Sequence, residues 1–103
     1  MSRSKKPELQ IPNQFQLGGQ VIKVDVIAGT EHEKAGEWLP QENLIRLYPK
    51  GRNYDFMLAT FYHELTHAIL DVWCRPKASS NENMVDSLGQ GLVQFHKTAK
   101  YSA

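Results

Sequence analysis

Hydrophobic and polar residues alternate in the first half of the chain, which predicts β-strands. Between Gln20 and Ile27 the apolar residues 22, 24 and 26 fall on one face and charged residues on the other, as in a half-buried strand. A second short strand is predicted around residues 37–39 and a third from Leu44 to Tyr48. The intervening Pro40-Gln41-Glu42-Asn43 is a turn sequence, so these two strands are expected to form a hairpin.

The second half of the chain has the periodicity of helices. Apolar residues cover one arc of a predicted helix over residues 53–74, with Asn53 as its N-cap and Arg75-Pro76 as its stop. A last helix is predicted from a cap at Ser79 or Ser80 to about Lys100, with an apolar stripe at positions 84, 88, 92 and 95 that residues 85 and 99 widen. This order predicts an α+β domain in which a small three-stranded antiparallel sheet packs on two helices.

Length and composition narrow the class of protein. The 103 residues suit one domain, with residues 1–8 as a flexible tail and residues 9–103 as the folded part. Residues 9–17, broken by Pro12, are predicted to form an extended arm or an irregular lead-in to a turn at Gly18-Gly19. A net charge of +1 argues against binding to nucleic acid or to a membrane surface. With one cysteine, no signal peptide and no long apolar run, a cytoplasmic location is expected.

The longer predicted helix carries the sequence His63-Glu64-Leu65-Thr66-His67. Residues four apart on a helix lie about 40° from alignment, so the two imidazoles can bind one metal ion while Glu64 lies close enough to serve a water molecule there. Five-residue patterns also arise by chance, and a single helical histidine is more often structural. The apolar arc on the opposite side of this helix favours the metal site.

A candidate third ligand opens the last helix. Glu82 and Asp86 share a helical face with Gly89, and glycine within a helix costs roughly 1 kcal/mol relative to alanine. Close approach of the two helices at Gly89 would account for that glycine and would bring Glu82 to the metal. Alternatively, Glu82 interacts only with the helix dipole. Beside two histidines the ligand interpretation is favoured, because His-His-Glu with a water is an open catalytic zinc site.

The two helices together resemble a known family. His63-Glu64-Leu65-Thr66-His67-Ala68 with Asp71, followed by Asn81-Glu82-x-Met84-x-Asp86-x-x-Gly89, is similar to the active-site helices of the gluzincin, or thermolysin-like, zinc metallopeptidases. The resemblance covers roughly residues 54–95, and the connection between the motifs is shorter here than in thermolysin. The hairpin that ends in Asn43 to Leu47 is similar to the strand before the metal helix in minimal gluzincins and in small phage-associated ImmA/IrrE-like peptidases.

The resemblance implies a zincin-like minimal metallopeptidase core with Zn²⁺ as cofactor. His63, His67 and Glu82 are expected to bind the zinc, and Glu64 is expected to act as general base toward a zinc-activated water. The expected reaction is hydrolysis of peptide bonds within an extended polypeptide. The alternative is a zinc-stabilised interaction or regulatory module of phage or mobile-element type, with weak hydrolytic activity or none.

The resemblance also implies residues that support the site. Asp86 is expected to orient the first histidine and Asn81 the second, through hydrogen bonds to the imidazoles. Asp71 is either another such partner or a solvated residue. If the third strand is a free edge, an extended substrate is expected to pair with it and to contact Leu44, Arg46 and Tyr48.

Overall fold

The computed structural model describes residues 11–73 and 80–101. The elements are β1 (Gln14–Leu17), β2 (Gln20–Val26), β3 (Gly36–Leu39), β4 (Leu44–Leu47), α1 (Tyr54–Trp73) and α2 (Glu82–Thr98), with a 3₁₀ turn at Pro40–Glu42. The predicted α+β class is confirmed. The predicted tail and helix stop, together with Cys74 and Ser79, lie outside the described residues. None of the described helices has the length and apolar character to cross a membrane.

The four strands form one mixed sheet in the order β1-β2-β4-β3. The β1–β2 and β3–β4 pairs are antiparallel, whereas β2 and β4 run parallel, with Lys23 opposite Leu44 and Val26 opposite Leu47. The prediction of three antiparallel strands is therefore wrong in two respects. The lead-in contains a fourth strand, which begins after Pro12. One pair is parallel, and side-chain alternation alone does not specify which strands pair.

One face of the sheet forms the core with α1. The core cluster consists of Ile22, Val24, Ile45, Leu47, Met57 and Phe61. The predicted alternation in β2 holds for its first two apolar positions, but Val26, at the end of the strand, is 55% exposed and does not belong to this cluster. The alternation correctly predicted which side chains of β2 face the core. It does not show how far along the strand the covering helix reaches, because that depends on the tertiary fold.

α1 begins as predicted, because the Asn53 Oδ1 accepts a hydrogen bond from the Phe56 backbone N–H at 2.8 Å. This helix crosses β3 and β4 closely. At the start of β3, a Cβ on Gly36 would lie only 2.7 Å from the Thr60 Cγ2. Glycine at position 36 therefore permits the close packing of α1 on β3.

α2 runs antiparallel to α1 and packs against it through Val85 and Gly89. Its N-cap is Asn81, whose Oδ1 accepts a hydrogen bond from the Met84 N–H at 3.1 Å, so the predicted cap at Ser79 or Ser80 is wrong. The predicted apolar stripe is only partly buried, since Val85 is buried whereas Leu88 and Phe95 are exposed. Because α2 packs on α1 through Val85 and Gly89, the side of the helix that carries Leu88 and Phe95 is turned partly toward solvent.

β4 lies between β2 and β3 and is hydrogen-bonded along both edges. The condition for substrate pairing with this strand, a free edge, is therefore not met, and contact of a substrate with Leu44, Arg46 and Tyr48 stays an untested prediction. Ile45 and Leu47 face α1, so Leu44 and Arg46 point to the opposite face of the sheet, and the Tyr48 hydroxyl donates a hydrogen bond to Glu37 at 2.7 Å. The sheet edge beside α1 is β3.

Candidate metal centre

The structure brings together the three candidate ligands from two helices. His63 and His67 are one turn apart on α1, and Glu82 is the first residue of α2. One ligand atom from each of these residues lies within 4.8 Å of the other two. The His63 Nε2 is 3.3 Å from the Glu82 Oε1, and the His67 Nε2 is 3.4 Å from the Glu82 Oε2.

These separations fit ligands around an ion. Nitrogen and oxygen atoms bound tetrahedrally at about 2.0–2.1 Å from zinc are about 3.3–3.4 Å from one another. A direct charge-assisted hydrogen bond between imidazole and carboxylate would be shorter, about 2.7–2.9 Å. His63, His67 and Glu82 can therefore hold a metal ion.

The second nitrogen of His63 is also engaged. Its Nδ1 lies 2.8 Å from the Oδ1 of Asp86, which is one turn after Glu82 on α2. When Nδ1–H donates to this carboxylate, the lone pair is on Nε2, the atom that faces Glu82. Asp86 thus lies where the sequence predicted, in contact with the first histidine.

Glu64 is buried beside the ligands, with 8% of its surface exposed. Burial raises the pKa of its carboxyl group above the ordinary value of 4.5; the nearby His63 and His67 oppose this rise, and Glu82 and Glu37 add to it. A carboxylate in such surroundings is a stronger base than one in water. Its position and basicity suit proton transfer.

A cavity of about 290 Å³ adjoins Glu64 and His63. It lies between the start of β3, the middle of α1 and the first turns of α2, where small side chains leave space. Its lining consists of Ala35, Gly36, Ala59, Thr60, His63, Glu64, Asp86, Gly89 and Gln90. Reactive side chains therefore face a space that another molecule can enter.

Gly89 sets the spacing of the two helices at the site. A Cβ at this position would lie 3.3 Å from the His63 Cα and 3.4 Å from the His63 backbone nitrogen. The close approach inferred from this helical glycine is confirmed. It places Glu82, two turns earlier on α2, beside the two imidazoles.

Asp71 has a contact that neither sequence-based alternative included. The Trp38 Nε1–H donates a hydrogen bond to the Asp71 Oδ2 at 2.6 Å, which links β3 to α1. A partly buried indole N–H favours an acceptor, which is the only sequence signal for this contact. The Asn81 Oδ1 caps α2, so an interaction of Asn81 with His67 stays a prediction.

The two histidines outside the motif have other partners. His32 stacks on Tyr48 with ring centroids 3.9 Å apart, and the His96 Nδ1 is 2.8 Å from the Tyr62 hydroxyl. Neither contact involves the His63, His67 and Glu82 group. Comparison of the chain with models of protein families, with curated proteins and with solved structures finds no match, so the likeness to gluzincins rests on the residues quoted above.

Proposed function

We propose that this protein is a zinc-dependent endopeptidase. The observation that carries the proposal is the convergence of His63, His67 and Glu82 at ligand spacing beside the buried Glu64. Two imidazoles and one carboxylate are a donor set that suits Zn²⁺ and leaves one coordination position open.

The residues of the site divide the chemistry among them. When bound, zinc supplies a Lewis acid that acidifies water and polarises a carbonyl group. Glu64 accepts the proton that the attacking water loses and delivers it to the amine nitrogen as the peptide C–N bond breaks. Asp86 holds the His63 ring so that Nε2 stays directed toward the metal position.

The edge strand β3 is suited to hold the substrate. Among the described residues, β3 pairs with β4 on one side and with no strand on the other. An extended peptide can add to that edge through main-chain hydrogen bonds. Gly36 at the start of β3 lines the same cavity as His63 and Glu64, so a peptide on this edge would pass the reactive groups.

The test compares zinc-loaded wild-type protein with Glu64→Gln, using an unstructured protein substrate and mass spectrometry of the products. We expect one zinc per chain in both proteins and a loss of activity of about 10²–10⁴-fold in the variant, the usual contribution of a general base. Glu42→Gln, the same change at an exposed position, is the matched control and should leave the rate unchanged.

Equal cleavage by wild type and Glu64→Gln would contradict the role of Glu64. Zinc-loaded wild type that cuts no peptide would contradict the proposed activity. That second result would favour a zinc-stabilised interaction module.

A further inference from the structure

We propose that the cavity beside His63 and Glu64 receives a cationic side chain of the substrate, and that Gln90 is a specificity-determining residue at its rim. This inference rests on the proposed peptidase function and adds a substrate class to it. The enzyme would prefer lysine or arginine next to the bond that it cuts.

The walls of the cavity leave room for a long side chain. Ala35, Gly36, Ala59 and Gly89 contribute little volume, and the cavity measures about 290 Å³. Apart from Gln90 at the rim, Thr60 is the largest lining residue outside the proposed catalytic group, and its hydroxyl donates a hydrogen bond to the Phe56 carbonyl oxygen at 2.9 Å. Space alone therefore does not restrict the occupant to a small residue.

Charge selects among the side chains that fit. Glu64 and Asp86 both line the cavity, and within the described part of the chain no lysine or arginine lines it. Glu82 adds a third carboxylate nearby. With a bound dication, the three carboxylates leave this site with a net charge of −1. A lysine or arginine side chain is therefore attracted, and a glutamate or aspartate side chain is repelled.

Gln90 can be used to alter this charge without changing a ligand or the general base. It follows Asp86 by one turn of α2, lines the cavity and is exposed. Gln94 is also exposed, follows one further turn along and is not among the residues that line the cavity. The two glutamines are a matched pair for the same substitutions.

The experiment measures kcat/KM of the zinc-loaded full chain on peptides of one scaffold. The residue on each side of the cut bond is varied in turn among arginine, lysine, leucine and glutamate. On one side we expect arginine and lysine to exceed leucine by at least about fivefold, with glutamate slowest. Gln90→Glu should raise the arginine-to-leucine ratio about threefold, and Gln90→Lys should lower it about tenfold. The same changes at Gln94 should alter it less than about twofold, and added salt should weaken the preference.

Three outcomes separate the inference from the function on which it rests. Leucine peptides cut as fast as arginine peptides on both sides would overturn the cationic preference and leave the peptidase activity standing. Equal effects at positions 90 and 94 would overturn the role of Gln90. No cleavage of any peptide by protein with verified zinc content would overturn the proposed activity and the inference together.

Discussion

At the scale of single residues, the site combines groups that are costly to bury. Glu64 is a largely buried carboxyl group among two imidazoles and a second carboxylate. An ionised carboxyl group in this position lowers the free energy of unfolding, because ionising it inside the protein is less favourable than in water. Its presence is therefore better explained by function than by stability. His63 is held from two sides, with Nδ1 on Asp86 and Nε2 facing Glu82.

The burial of Glu64 predicts a pH dependence for the metal-free protein. Since the pKa of this carboxyl is raised by folding above 4.5, the unfolded chain loses its proton first as the pH rises. The free energy of unfolding should therefore fall from about pH 4.5 through the folded pKa. Metal-free Glu64→Gln lacks this loss, so its Tm should exceed that of metal-free wild type by a margin that grows from about pH 4.5 up to the folded pKa of Glu64.

Thermal melts of both proteins in the presence of a chelator measure this margin. Glu42→Gln serves as the control for removal of an exposed carboxylate. A Tm of Glu64→Gln at or below that of wild type across the range would contradict the prediction.

The grouping of His63 and His67 as candidate ligands could be predicted from sequence, since it depends on local helical geometry. Spacing of four residues places His63 and His67 on one side of any helix. The partner of Asp71 could not be predicted, because Trp38 precedes it by 33 positions and reaches it only through the packing of β3 on α1. Side-chain contacts between distant segments are set by the tertiary fold.

At the scale of elements, the spacing of α1 and α2 determines whether the candidate ligands meet. Gly89 was identifiable in sequence because glycine is unfavourable inside an amphipathic helix and needs a compensating reason. The structure supplies it, since the backbone of His63 lies where a Cβ would be crowded. Whether β4 is a free edge could not be decided from sequence, because a hairpin sequence does not show which of its two strands lies outermost; the outer strand is β3.

We predict that Gly89→Ala weakens zinc binding by about tenfold, a loss typical of small displacements in the support of metal ligands. The added methyl group must move α2 away from the backbone of α1 by a few tenths of an ångström. Gly91→Ala is the matched control, because nothing lies within 4 Å of a Cβ there. That substitution should stabilise the protein by up to about 1 kcal/mol and leave zinc affinity unchanged.

Competition with a chromophoric chelator gives both zinc affinities, and denaturant titration gives both stabilities. If Gly89→Ala behaves like Gly91→Ala in both measurements, the proposed spacing role of Gly89 is wrong.

The hydrogen bond between Trp38 and Asp71 should position β3 rather than support the metal. Trp38→Phe keeps an aromatic ring and removes the donor, which should lower the free energy of unfolding by about 1.5–3 kcal/mol for a bond to a charged acceptor. If β3 holds the substrate, KM should rise more than kcat falls, with zinc content unchanged.

A double-mutant cycle isolates this contact. Asp71→Ala should destabilise the wild type more than it destabilises Trp38→Phe, because the second background already lacks the bond. Additive losses, or a fall in zinc content in Trp38→Phe, would contradict the assignment.

At the scale of the whole molecule, the fold class was predictable and the sheet topology was not. Periodicity gave two helices and the strands β2, β3 and β4, because each pattern is local. The parallel pairing of β2 with β4 joins segments separated by the loop after Val26 and by β3. This pairing depends on how α1 packs on the sheet, and no short stretch of sequence encodes it.

Metal removal should destabilise the whole domain. A small core leaves little reserve of stability, and an ion that binds only the folded state stabilises it by about 2.7 kcal/mol at a free concentration 100 times Kd. For a domain of this size, 1 kcal/mol corresponds to about 4–8 °C in Tm. Chelation should therefore lower Tm by at least several degrees, and by roughly 10–20 °C from that zinc concentration.

Differential scanning fluorimetry with and without chelator measures the shift. His67→Ala, which lacks one ligand, is the control and should respond little to chelator. An unchanged wild-type melt after verified removal of zinc would contradict metal-supported folding.

All three candidate ligands lie between positions 63 and 82. The candidate metal site therefore depends on α1 and α2 alone, whereas the proposed peptide binding also depends on β3, which contacts α1 through residues distant in sequence. Measurements of metal content and of the proposed catalytic turnover would thus report on different parts of this protein. A variant that retains its zinc and Glu64 but lacks the proposed turnover would point first to β3, the strand beside the cavity.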